Sequence, residues 1–73
     1  MKEKQKVIII DDDDNLRRTL GEILDLNGFE AIGFAKGKRA ISWCKKEIPV
    51  VALIDLKLSD ISGIDVLREI KKI

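Results

Sequence analysis

The chain contains no histidine. That absence excludes Ser-His and Cys-His nucleophilic pairs and any histidine-ligated zinc centre. A single cysteine, Cys44, leaves no internal disulfide, and a reducing, cytoplasmic compartment fits that usage. Cys44 falls in an amphipathic pattern, where a cysteine is most simply a small buried hydrophobe. No apolar run is long enough for a signal peptide or a membrane span, and the opening Met-Lys-Glu-Lys-Gln-Lys is a short charged lead-in. The formal net charge is only +1, which makes no broad electrostatic claim on nucleic acid or an anionic membrane. Gly28, Gly33 and Gly37 match neither the dinucleotide nor the nucleotide phosphate-loop fingerprint.

What is present is a globular composition, 45% hydrophobic and 37% charged over 73 residues. That apolar fraction argues against a disordered tail. A chain this short buries only about 60% of its unfolded surface, so its stability margin is thin.

Apolar periodicity divides the chain into alternating strands and helices. Val7-Ile8-Ile9-Ile10 is a continuous β-branched run and reads as a strand buried on both faces. Asn15 or Asp14 can cap a following helix whose buried stripe is Leu16, Leu20, Ile23 and Leu24, with Arg17, Arg18 and Glu22 outside it. Asn27-Gly28 ends that helix, because glycine supplies the left-handed residue of a C-terminal cap. Phe29 to Phe34 reads as a second strand, Gly37 as a turn, and Ala40, Ile41 and Cys44 as the apolar side of a shorter helix that Pro49 stops. Trp43 is expected to pack in or beside the core. Val50 to Ile54 is a second continuous apolar run. Ser62 with Asp65 resembles a capping box, and Val66, Leu67, Ile70 and Ile73 give the last helix its buried face. The lysines at 36, 38, 45, 46, 71 and 72 form a solvated surface. The order βαβαβα predicts a parallel α/β sheet.

Both continuous apolar runs end in aspartate. Asp11 to Asp14 follow the first directly, and Asp55 follows the other. Open parallel sheets place ligand sites at the C-terminal ends of their strands. If the first and third strands are neighbours, Asp11, Asp12 and Asp55 converge at one edge. Clustered carboxylates repel one another, and a helix N-terminus or a hard cation such as Mg2+ relieves that repulsion. Asp13 and Asp14 are better explained as helix-start charges than as ligands.

These segments resemble the receiver domain of two-component response regulators. Val-Ile-Ile-Ile-Asp-Asp is similar to that family's opening strand and acidic pair, here Asp11 and Asp12. Asn15 to Leu20 looks like its first helix, and Asn27 to Ala31 like the exit into its second strand. Leu53-Ile54-Asp55-Leu56-Lys57-Leu58 is similar to the segment carrying the phospho-acceptor, and Gly63 with Ile64 to Ile70 to the third helix. The resemblance implies a flavodoxin-like fold with strand order 2-1-3. It implies a phosphoryl group accepted on Asp55 from a sensor histidine kinase, and Mg2+ held by Asp11, Asp12, Asp55 and the backbone carbonyl of Lys57. It implies a signalling module rather than an enzyme.

The resemblance has departures. Ser59 stands where the family usually has proline, which predicts a looser loop, and Val50 stands where it usually has aspartate. The family continues through two further βα units carrying a Ser or Thr switch residue and a lysine that contacts the phosphoryl group. Residues 1–73 are therefore expected to be a partial receiver domain, either naturally short or a piece of a longer regulator. An apolar third strand left at the sheet edge predicts a homodimer or a domain-swapped assembly. The competing reading is a degenerate receiver-like module that binds a partner without phosphorylation or switching.

Overall fold

Lys6–Ile10 forms the central strand, β1, of a three-stranded parallel sheet in the order β2-β1-β3. The computed structural model describes residues 3–73, so the first two residues of the charged lead-in lie outside the described part. Along the chain, β1 is followed by α1 (Asp14–Leu26), β2 (Glu30–Phe34), α2 (Gly37–Cys44), β3 (Val51–Ile54) and α3 (Gly63–Lys71). The expected fold class and strand order are the observed ones. The physical cause lies in β1: a strand flanked on both edges and covered on both faces needs side chains that tolerate burial everywhere, and Val7, Ile8, Ile9 and Ile10 are all buried.

Successive side chains on β1 point to opposite faces. Ile8 and Ile10, with register partners Ile32, Phe34, Ala52 and Ile54, line the face covered by α2 and α3. There they meet Ala40, Cys44 and Val66, all buried, and Trp43, whose ring lies 6.1 Å from that of Phe34 at a tilt of 59°. Val7 and Ile9 line the other face, which α1 covers alone.

Several local expectations are corrected. The N-cap of α1 is Asp13, not Asp14 or Asn15: Asp13 is extended, and its carboxylate accepts the Leu16 amide at 3.1 Å, whereas the next two residues are already helical. The stripe of α1 faces the sheet but is not buried, with Leu16 44% and Ile23 51% exposed. One helix cannot seal a face three strands wide. In α3, Val66 and Ile70 reach the core while Leu67 stays exposed, because only one side of that helix meets β3 and α2; Ile73 lies beyond the helix end and is exposed too. Gly37 is the buried first residue of α2 rather than a turn before it. That helix ends at Cys44, ahead of Pro49. Gly28 has φ +87° and closes α1 as expected. Ser62 caps α3 by accepting the Asp65 amide at 3.1 Å.

Candidate functional site

The sheet's hydrogen-bond ladder continues one residue beyond the strand ends. The Asp11 amide donates to the Phe34 carbonyl at 3.0 Å, and the Asp55 amide donates to the Ile10 carbonyl at 2.8 Å. Backbone pairing thus sets Asp11 and Asp55 side by side at the C-terminal edge, with Asp12 next along the chain. One carboxylate oxygen from each of Asp11, Asp12 and Asp55 lies within 4.8 Å of the others. Asp11 and Asp55 are half-buried and Asp12 is exposed. None of the three forms an ion pair with a lysine or arginine among the described residues. The cluster therefore presents hard oxygen donors with no protein cation to balance them, which is the chemistry of a Mg2+-type site.

Backbone donors orient two of these carboxylates. The Asp13 amide donates to Asp11 Oδ1 at 2.9 Å, and the Lys57 amide to Asp55 Oδ1 at 3.3 Å. Among the described residues, the Lys57 carbonyl accepts no protein hydrogen bond. Asp13 and Asp14 take no part in the cluster. Asp13 caps α1, and Asp14 pairs with Arg17.

The loop from Leu56 to Ser62 is closed at its base. Lys57 and Ser62 form an antiparallel bridge, and the Gly63 amide donates to the Leu56 carbonyl at 2.9 Å. A Cβ at Gly63 would collide with the Asp55 carbonyl, so only glycine lets α3 start this close to the site. The loop in which Ser59 stands in place of proline is tied by polar bonds: Lys36 Nζ donates to Ser59 Oγ at 2.8 Å, and the adjoining Asp60 is bonded to the start of α2.

Sequence reasoning missed two residues. Arg17, placed outside the buried stripe, donates from Nη1 to the Asp11 carbonyl at 2.7 Å and lays its stem across Gly33, where a Cβ would sit 2.9 Å from its Cδ. Glycine at 33 is the signal that something crosses the strand there. Asp60 accepts the Gly37 and Lys38 amides, both at 2.9 Å. The Lys38 amide, with those of Gly37, Ile61 and Asp60 itself, outweighs desolvation and holds the carboxyl at about 2, below the usual 3.8.

The response regulator receiver domain matches residues 7–73. The chain belongs to that family. Its relatives include a probable transcriptional regulator ycf27 of Porphyridium aerugineum, 34% identical over 70 residues, covering 96% of this chain and 29% of the relative. Sporulation initiation phosphotransferase F of Bacillus subtilis is 32% identical over 69 residues, covering 94% of this chain and 56% of that protein. Among solved structures, the response regulator TrrA of Thermotoga maritima in complex with Mg(2+)-BeF superposes with a TM-score of 0.86 at 28% identity, covering 93% of this chain and 59% of that one. The chain thus spans less than two thirds of the length of each. Receiver domains hold Mg2+ at an acidic cluster and are phosphorylated by histidine kinases or phosphotransferases. No helix among the described residues is long and apolar enough to cross a membrane.

Proposed function

We propose that this receiver chain accepts a phosphoryl group on Asp55 from a phosphohistidine of a sensor kinase, in the cytoplasm, with Mg2+ held by Asp11, Asp12, Asp55 and the Lys57 carbonyl. The observation carrying this reading is the convergence of three carboxylates from two strand ends, without a protein cation among them. The donor set fits the metal. Three carboxylates supply hard oxygen donors, with one oxygen from each lying within 4.8 Å of the others, and these would hold such a cation. The same convergence favours phospho-acceptance over a degenerate module that only binds a partner.

In the reaction, a carboxylate oxygen of Asp55 attacks phosphorus. The O–P bond forms as the P–N bond to the donor imidazole breaks, and the imidazole departs with a proton. When bound, Mg2+ supplies the charge neutralisation that two approaching anions need. Asp11 and Asp12 keep that cation at the strand ends. The Lys57 amide, donating to Asp55 Oδ1, fixes the carboxylate's rotation so that its second oxygen is presented.

The test is intact-mass measurement after incubation with Mg2+ and a small phosphodonor such as acetyl phosphate. One phosphoryl group is expected, absent in Asp55→Asn and absent when EDTA is added. A chain that gains nothing, or whose gain survives Asp55→Asn, discards the reading. Residues 1–73 are read as the first three βα units of a receiver domain. Self-association of two copies through the β3 edge remains part of the proposal, supported by Val51 at 49% and Leu53 at 40% exposure. A monodisperse monomer in sedimentation sinks it.

A further inference from the structure

The tip of the loop after Asp55 is fastened to a different element. Asp60 accepts the first two amides of α2, those of Gly37 and Lys38, each at 2.9 Å, and Lys36 reaches Ser59 Oγ at 2.8 Å. Gly37 makes the approach possible. A Cβ there would meet Val66 Cγ2 and would lie 3.0 Å from Ile61 Cγ1 and 3.2 Å from Leu58 Cδ1. The loop is therefore held twice, at its base by the Lys57–Ser62 bridge and at its tip by α2. Between those points runs the backbone that carries the Lys57 carbonyl.

We propose that Asp60 is a positioning residue: by clamping the 56–62 loop to the N-terminus of α2, it holds the Lys57 carbonyl in place for the cation at Asp11, Asp12 and Asp55. This rests on the reading of that cluster as a Mg2+ site. The clamp takes over the stiffening that a proline at 59 would give. Proline limits a loop by restricting its backbone, whereas Asp60 limits it through two charge-assisted hydrogen bonds. Among the described residues the Ser59 amide donates to no protein acceptor, so a proline there breaks no hydrogen bond seen among them. Both oxygens of Asp60 are used, one per amide, which makes the carboxylate the matching group.

The experiment compares wild type, Asp60→Ala, the milder Asp60→Asn, and Asp60→Ala combined with Ser59→Pro, in the full chain. Mg2+ affinity is read by calorimetry and loop order by amide hydrogen exchange at residues 56–61. Asp60→Ala is expected to speed exchange in the loop and weaken Mg2+ about tenfold, the scale of a lost outer-shell partner. Asp60→Asn should lie between, and Ser59→Pro should recover most of both losses. A residue that merely caps α2 would not be rescued this way, since the helix start stays uncapped. Unchanged Mg2+ affinity in Asp60→Ala and Asp60→Asn overturns the proposal, as does loss without rescue. Wild type that binds no Mg2+ sinks the metal reading and this inference together, whereas a binding wild type beside indifferent Asp60 variants sinks only this one.

Discussion

The two faces of the sheet share one strand and differ in almost everything else. On the side of α2 and α3, Ile8, Ile10, Ala40, Cys44 and Val66 are buried together, and half-buried neighbours from β2, β3 and both helices ring them. On the side of α1, Val7 and Ile9 are buried, yet no residue of α1 itself is, and Val51 and Leu53 of β3 stay exposed, as do Leu16 and Ile23. Both sides carry apolar side chains from β1 and β3. Closure separates them: two helices that also pack on each other seal a face, while one helix over β1 and β2 leaves the third strand bare. Burial here follows tertiary coverage rather than the hydrophobicity of the segment.

The largest effect expected from this contrast concerns stability. Ile8→Ala removes a fully buried side chain from the closed face and should cost about 3 kcal/mol in urea unfolding. Ile23→Ala, on the open side at 51% exposure, should cost about 1 kcal/mol or less. Equal losses would break the comparison. A smaller effect is expected at the start of α1: Asp13→Ala deletes its cap and should cost about 1 kcal/mol while leaving Mg2+ binding intact, since the Asp13 amide that supports Asp11 survives the change. Calorimetry on the same variant checks both halves of that expectation.

The smallest effect concerns acid. The folded carboxyl of Asp60 sits at about 2 against an ordinary 3.8, held down first by the Lys38 amide. A depressed carboxyl stabilises the fold fully above its unfolded value, and that contribution fades as pH falls from 3.8 toward about 2. Asp60→Asn should therefore flatten the acid limb of the stability curve within that window and leave its shape near neutrality unchanged. An acid limb identical to wild type would show that the bonds to α2 do not form in solution. Because Asp60 joins α2 to the loop beside the site, this measurement also sharpens how far the closed face extends toward the carboxylates.

Most of the architecture was legible residue by residue. Val7 to Ile10 announced a central strand because a fully buried strand leaves no room for polar alternation. Gly28 marked a helix end because left-handed backbone favours glycine, and Ser62 marked a helix start through its hydroxyl. The acidic pair and Asp55 were legible as strand-end residues of one parallel sheet. Boundaries and burial were less legible. Asp13, Asp14 and Asn15 are all good caps in isolation, and only the backbone's turn into the helix at Asp14 selects Asp13. Leu67 and Ile73 carry helical spacing like Val66 and Ile70, but spacing does not say how many neighbours a helix has. Arg17 and Asp60 were hidden because their partners, the Asp11 carbonyl and the amides of Gly37 and Lys38, are backbone groups with no side-chain signature.

By itself the sequence determined the alternation of strands and helices, the central place of β1 and the pairing of Asp11 and Asp12 with Asp55, because these depend on local periodicity and on where polar residues interrupt apolar runs. The tertiary structure alone decided which face closes, which carboxylate caps a helix and which ones converge at the strand ends, and how a loop without its usual proline is held. Those outcomes depend on backbone donors and acceptors meeting across elements far apart in the chain, such as Asp60 against Gly37 and Lys38. No property of either segment alone encodes that meeting. Packing α2 against the loop and α3 brings it about.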